Sequence, residues 1–252
     1  MRSVGIIQAR MGSTRRPGKV LADLAGKPML YHVVKRAQQA RGLDLVVVAT
    51  SDQPRDEGIE QYCSDIGTPC FRGSEDDVLD RYIQAARLFE ADRVVRLTAD
   101  CPLLDPQVID EVISAYSRGG YDYVSNFLEP TYPDGLDNEV CGREVLERAW
   151  REARLKTERE YVTVYIWKNP DLFRLFNVRN DKDLSHLRWT VDEPEDLEFV
   201  REVYKHLGPE PSFGMNEILT LLEEHPELND INSQFTRNEG YQKSLLEDAV
   251  VK

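Results

Sequence analysis

Short apolar runs alternate with helix-spaced stretches from the start of the chain. Residues 4–7, 45–50, 70–72 and 94–98 read as strands, and unbroken apolar runs of this length suit strands covered on both faces. Between the first two, Met29, Leu30, Val33, Val34 and Ala37 keep a helical spacing over 29–40 that begins just after Pro28. Helices are also predicted over 76–89 and over 105–116, the latter entered through Pro102 and Pro106. A fifth strand is expected over 121–126, a helix over 158–167, and strands over 175–178 and 187–191, the last ending at Asp192. Strand–helix alternation of this kind means an α/β fold with a mostly parallel sheet. The expected organisation is one domain over 1–225, with a tail, 226–252, packing on it or extending from it.

Ligands of open parallel sheets bind outside the carboxyl ends of the strands, so the residues just after each strand are the ones to read for chemistry. After the first strand comes Arg10-Met11-Gly12-Ser13-Thr14-Arg15-Arg16-Pro17-Gly18-Lys19, which carries four cations and no acid in a chain whose formal charge is -13. A basic, glycine-bearing loop behind a buried strand points to a bound polyanion such as a triphosphate; the plain alternative is a solvated turn. Five residues separate Gly12 from Gly18 and Val20 follows Lys19, so the P-loop template fails, and no G-x-G-x-x-G follows the strand. Two aspartates stand at strand ends: Asp100 after 94–98 and Asp192 after 187–191. Each is placed either to hold Mg²⁺ beside substrate phosphates or to cap the following turn or helix.

The acidic balance argues against nucleic acid as a partner, since duplex binding needs a broad basic face. No apolar stretch reaches the roughly 20 residues of a membrane span, and the amino terminus reads as a strand, so a cytoplasmic location is expected. Cys63, Cys70, Cys101 and Cys141 contain no C-x-x-C pair and the four histidines form no ligand-spaced cluster, which indicates neither zinc nor a disulfide scaffold. Cys101 beside Asp100 reads as a small buried thiol rather than a nucleophile.

Three motifs together resemble the cytidylyltransferases: 7–21 from Ile7-Gln8-Ala9-Arg10 to Lys19-Val20-Leu21, Thr98-Ala99-Asp100-Cys101-Pro102-Leu103, and Thr190-Val191-Asp192-Glu193-Pro194-Glu195-Asp196-Leu197. The likeness is to the spore-coat polysaccharide biosynthesis protein F group, related to enzymes that activate acylneuraminate and keto-deoxyoctulosonate. Residues 72–82, the turn 132–139 and the tail 237–245 extend it over nearly the whole chain. The resemblance implies a three-layer α/β/α nucleotidyltransferase fold, glycosyltransferase-A-like, with a mixed, mostly parallel sheet. It implies CTP and Mg²⁺ as reactants, a sugar acid or phosphorylated metabolite as acceptor, and pyrophosphate as a product. By the match, Arg10 and Lys19 hold the triphosphate with Ala9, Gly12, Ser13 and Arg15 in the same loop, and Asp100 and Asp192 bind metal. Arg72, Ser74 and Asp80 are expected near base and ribose, and Asn126, Tyr132, Asp134, Asp137 and Glu139 at the acceptor. Arg16 stands where leucine is expected and Tyr161 where histidine is expected; the second puts the acceptor in question, not the transfer. A glycosyltransferase using a nucleotide sugar and a nucleotide-binding protein without turnover are the rival readings. The stretch 121–132 and the tail after Pro226 are candidate homodimer surfaces.

Overall fold

The computed structural model describes residues 1–12 and 15–251. Its sheet begins with β1 (Ser3–Gln8), whose Val4, Ile6 and Ile7 are fully buried on both faces. A two-residue hairpin, β2 (Asp23–Leu24) and β3 (Lys27–Pro28), leads into α1 (Met29–Ala37), and β4 (Leu45–Ser51) then lies parallel to β1. After α2 (Glu57–Asp65), β5 (Cys70–Gly73) extends the edge. Next, α3 (Val78–Leu88) precedes β6 (Arg93–Thr98), which pairs parallel on the other side of β1. Beyond α4 (Pro106–Ser117), β7 (Tyr123–Ser125) is separated from β6 by β8 (Glu139–Gly142), and β9 (Leu175–Asn177) closes the far edge. The seven-stranded order is β5-β4-β1-β6-β8-β7-β9, and β8 alone runs against the rest. The sheet is therefore mixed and mostly parallel, with helices on both faces.

On one face, Leu30, Val33 and Val34 of α1, Ile59 of α2 and Ile109 and Val112 of α4 pack against the sheet. On the other, Tyr82, Ile83 and Ala86 of α3 do so with Leu146 and Ala149 of α5 (Arg143–Glu152). A third cluster joins the hairpin to α8 (Pro194–Leu207) and α9 (Met215–Glu224) around Trp189 and Phe199. Capping fixes where helices begin. Asp105 accepts from the N–H groups of Gln107 and Val108 at the head of α4, and Asp77 accepts from Asp80 N–H at the head of α3.

Two expectations are corrected. The 158–167 helix is broken into α6 (Lys156–Glu160) and α7 (Val164–Trp167) by Val162, a β-branched residue at φ 63°, a conformation foreign to helices. Residues 187–191 do not form a strand of the sheet. Their backbone bonds are divided between two loops: Trp189 N–H donates to the Asp134 carbonyl at 2.6 Å and Val191 N–H to the Asp100 carbonyl at 2.7 Å. The apolar pattern that suggests a strand comes instead from Trp189 and Val191 entering the third cluster. That division sets Asp192 beside Asp100.

Gly135 makes this close approach feasible. At φ 111°, a Cβ added there would stand 2.7 Å from Trp189 C and Thr190 N. Gly135→Ala is expected to destabilise the protein by roughly 2–4 kcal/mol, through left-handed strain plus a clash with backbone. Urea denaturation of the two proteins measures it; a difference below about 0.5 kcal/mol would mean that the loop yields without resistance.

Candidate active site

A cleft of about 1360 Å³ opens at the carboxyl ends of β1 and β6. It exceeds the usual range for one small ligand, roughly 300–1000 Å³, and so has room for two substrates. Lys19 enters its floor. The Nζ atom donates to Asp100 Oδ2 at 3.0 Å, Asp192 Oδ1 at 2.8 Å and the Val191 carbonyl at 2.8 Å, and the residue is only 7% exposed. Burial alone would lower its pKa, but the charges of Asp100 and Asp192 more than offset this and raise it. Burial likewise works to raise Asp100; Lys19 and a hydrogen bond from Thr98 win and hold it at about 2.

Arg15 reaches the same cluster, with Nη2 2.9 Å from Asp192 and Nη1 3.2 Å from Glu193. Arg188 closes it from behind: its guanidinium holds Asp196 through two bonds of 2.8 and 2.9 Å, and lies 3.3 Å from Asp134 and 3.5 Å from Asp192. Asp192 caps nothing, because the head of α8 is closed by Glu193 and Asp196. The carboxylates of Asp100 and Asp192 instead converge on the Lys19 ammonium, and both residues line the cleft. Among the described residues no three His, Cys, Asp or Glu side chains form a ready-made cage. Two carboxylates with further positions open to substrate oxygens fit a hard divalent cation, and Lys19 marks the point where negative potential concentrates.

The cleft thus brings together Ala9, Arg10, Arg15, Lys19, Asp100, Asp192, Asp134, Asp137 and Glu139. Arg10 lies 4.0 Å from Glu160. Ser13 lies outside the described residues, and Gly12 packs against Arg55. Arg72, Ser74 and Asp80 do not line the cleft. Arg72 clamps the loop before α2, donating to the carbonyls of Ser51 and Gln53; Ser74 accepts from Asp77 N–H, and Asp80 accepts from Trp150 Nε1 at 2.8 Å. Their segment faces the cleft through Glu75, Asp76, Asp77 and Arg81 instead. Asn126 is a staple, donating to the Leu136 carbonyl and accepting from Asn138 N–H, and the Tyr132 hydroxyl turns to Glu111 at 2.7 Å.

Residues invisible to the sequence reading complete the wall. Arg96 of β6 is paired with Glu139 of β8, which also accepts from Tyr123 and Thr163. A cation inside each apolar run, Arg96 in 94–98 and Arg188 in 187–191, was the available signal. From the tail, Arg237 pairs with Asp137 and donates to the Tyr132 carbonyl at 3.1 Å. Burial, opposed by Arg237 and reinforced by the charges of Asp134 and Glu139, raises Asp137 to about 7.

These shifts have opposite consequences for pH dependence. The depressed Asp100 pKa contributes stability fully present above about pH 4 and lost as pH falls through about 2. Lys19 contributes stability present below 10.5 and lost only as pH rises through its raised value. Asp137, raised from 3.8 to about 7, favours the fold below 3.8 and loses that contribution as pH rises through 7. Asp100→Asn should therefore be less stable than the parent at pH 6, by on the order of 2 kcal/mol at most. Urea unfolding should show the gap closing towards pH 2; a gap independent of pH would contradict the Lys19–Asp100 lock.

Residues 4–229 match the family described as "Cytidylyltransferase". The spore coat polysaccharide biosynthesis protein SpsF of Bacillus subtilis is 35% identical over 229 residues, covering 88% of this chain and 94% of that protein. A 3-deoxy-manno-octulosonate cytidylyltransferase of Anaeromyxobacter dehalogenans is 46% identical over 116 residues, 45% of this chain and 47% of that enzyme. Among solved structures, a cytidylyltransferase from Leptospira borgpetersenii superposes with a TM-score of 0.88 at 30% identity, covering 94% of this chain and all of that one.

Proposed function

The chain belongs to the cytidylyltransferase family, CTP-dependent nucleotidyltransferases, and from that premise we propose that it transfers CMP from CTP to an oxygen of a sugar acid in surface-polysaccharide synthesis. The observation that carries this reading is the buried Lys19 ammonium between Asp100 and Asp192 at the floor of a two-substrate cleft. The acceptor oxygen attacks the α-phosphorus, the bond to the bridging oxygen of the β-phosphate breaks, and pyrophosphate leaves with that electron pair. The hydroxyl proton passes to solvent, and no side chain is assigned as base.

Catalysis by this chain is placement and charge neutralisation. Arg10 grips the triphosphate, Arg15 supports the loop by holding Asp192 and Glu193, and Lys19 stabilises the charge gathering on the departing pyrophosphate. Asp100 and Asp192, fixed by Lys19, Arg15 and Arg188, are the residues to hold Mg²⁺, which when bound supplies polarisation of the α-phosphate. Arg81 with Asp76 and Asp77 faces the nucleoside side. Asp134, Asp137 and Glu139 face the acceptor. The absence of a membrane-length apolar helix among the described residues agrees with action in the cytoplasm.

The test is pyrophosphate release from CTP with 3-deoxy-manno-octulosonate, N-acetylneuraminate and phosphorylated sugars in turn, with MgCl₂ and with EDTA. Release that needs CTP, an acceptor and the metal is expected. Equal release from UTP or ATP, or release from a nucleotide sugar instead of CTP, would contradict the reading.

A further inference from the structure

One wall of the cleft is aromatic, and part of it is supplied by the carboxyl-terminal segment. In α10 (Glu239–Leu246), Tyr241 stands edge-on to Tyr161, with centroids 5.0 Å apart and planes at 77°, and edge-on to Trp167 at 5.8 Å and 68°. Phe127 extends the wall, 6.4 Å from Trp167. All four side chains line the cleft.

The segment is tied down at both ends of this wall. On one side, Arg237 holds Asp137. On the other, Asp248 accepts from Thr157 N–H at 3.0 Å and Oγ1 at 2.7 Å, and Val251 N–H donates to the Arg154 carbonyl at 2.8 Å. Between them, Tyr161 Oη meets Ser244 Oγ at 2.9 Å. The phenol at position 161 thus docks the tail. Val162 at φ 63°, with Thr163 N–H 2.6 Å from the Tyr161 carbonyl, forms a strained γ-turn that separates the two flanking side chains. Strain of this kind persists where the surrounding structure enforces it, and it gathers at functional sites.

Two further observations point to a ligand against this wall. The Tyr241 hydroxyl is buried with no hydrogen-bond partner among the described residues, a loss that a bound polar group would restore. Lys156 and Lys243 line the same cleft and offer charge to a carboxylate. Aromatic rings with a few convergent polar groups are the usual surface for a cyclic ligand; a pyranose has one face of mostly C–H groups.

Resting on the reading above, we infer that Tyr241, with Tyr161 and Trp167, selects the acceptor by stacking on the C–H face of a pyranose sugar acid whose carboxylate pairs with Lys156 or Lys243. Tyr241 is a specificity-determining residue brought to the site by the tail. It takes no part in gripping CTP.

The test uses the full chain with saturating CMP in the nucleotide half. Saturation-transfer NMR and titration measure binding of 3-deoxy-manno-octulosonate, N-acetylneuraminate and glucuronate, and CTP affinity is measured separately. At least one sugar acid should bind with saturation on its ring C–H protons. Tyr241→Ala should weaken that binding at least tenfold, Tyr241→Phe by a smaller factor of about three- to tenfold through loss of the hydroxyl's bond, and both should bind CTP within twofold of the parent. Unchanged sugar binding in Tyr241→Ala, or parallel loss of CTP binding, would overturn the inference. Binding of CTP with none of the three sugars would also overturn it while leaving the nucleotide reading intact; failure of the parent to bind CTP would sink that reading itself.

Discussion

Lys19→Ala should lower kcat by about 10²–10³, the order expected for removing a fixed positive charge beside developing negative charge, while CTP affinity changes by less than tenfold. Its ammonium already neutralises Asp100 and Asp192 in the ground state, at 3.0 and 2.8 Å. Its added contribution therefore comes when charge moves to the leaving pyrophosphate, so the loss appears in kcat rather than in binding. The substitution also leaves two carboxylates facing each other. Because their side chains are 28% and 20% exposed, the accompanying stability loss should be about 1–3 kcal/mol rather than the full value for a buried pair. Single-turnover kinetics with a thermal melt of the same sample separate the effects. An unchanged kcat in a folded Lys19→Ala protein would remove Lys19 from the chemistry.

The largest expected stability effect is at Arg188. Its side chain is 7% exposed and Asp196 beneath it is fully buried. That aspartate also accepts from the backbone N–H groups of Asp192 and Glu193, each at 2.9 Å, and from Asn232. Arg188→Met would strand this carboxylate and strip Asp134 and Asp192 of a neighbouring cation. A loss of about 3–5 kcal/mol is expected, which for a chain of this size lowers Tm by on the order of 10 °C. Arg188→Met with Asp196→Leu should recover part of the loss, because the second change removes the stranded charge. A single variant within 1 kcal/mol of the parent would show that this ion cluster does not hold the Asp192 loop.

The parts of the fold legible in the sequence were those governed by local periodicity. Residues 4–7, and Val94, Val95 and Leu97 in 94–98, are buried apolar positions because β1 and β6 are covered by helices, and the chemistry-bearing residues follow their ends, as at Arg10 and Asp100. Asp192 was legible as a position, but its support was not, since 187–191 takes its bonds from Asp134 and Asp100 rather than from a sheet neighbour. The β8 strand is short, runs against its neighbours and begins at the last residue of the stretch read as a turn, so Glu139 could not be paired with Arg96 in advance. Arg72 lies within β5 and Ser74 directly follows it; direction decided their partners, turning one to the loop before α2 and the other to the head of α3. Tyr241 belongs to a polar tail with little periodic signal, and only tertiary contact with Tyr161 and Trp167 gives it a place.

The measurement that bears most directly on the account is titration calorimetry of CTP, UTP, ATP and GTP into the full chain, each with MgCl₂ and with EDTA. CTP with Mg²⁺ should bind at least tenfold tighter than the other three, and Asp192→Asn should abolish the advantage of the metal. Equal affinities for all four, or selectivity for CTP that is indifferent to both the metal and Asp192, would contradict it.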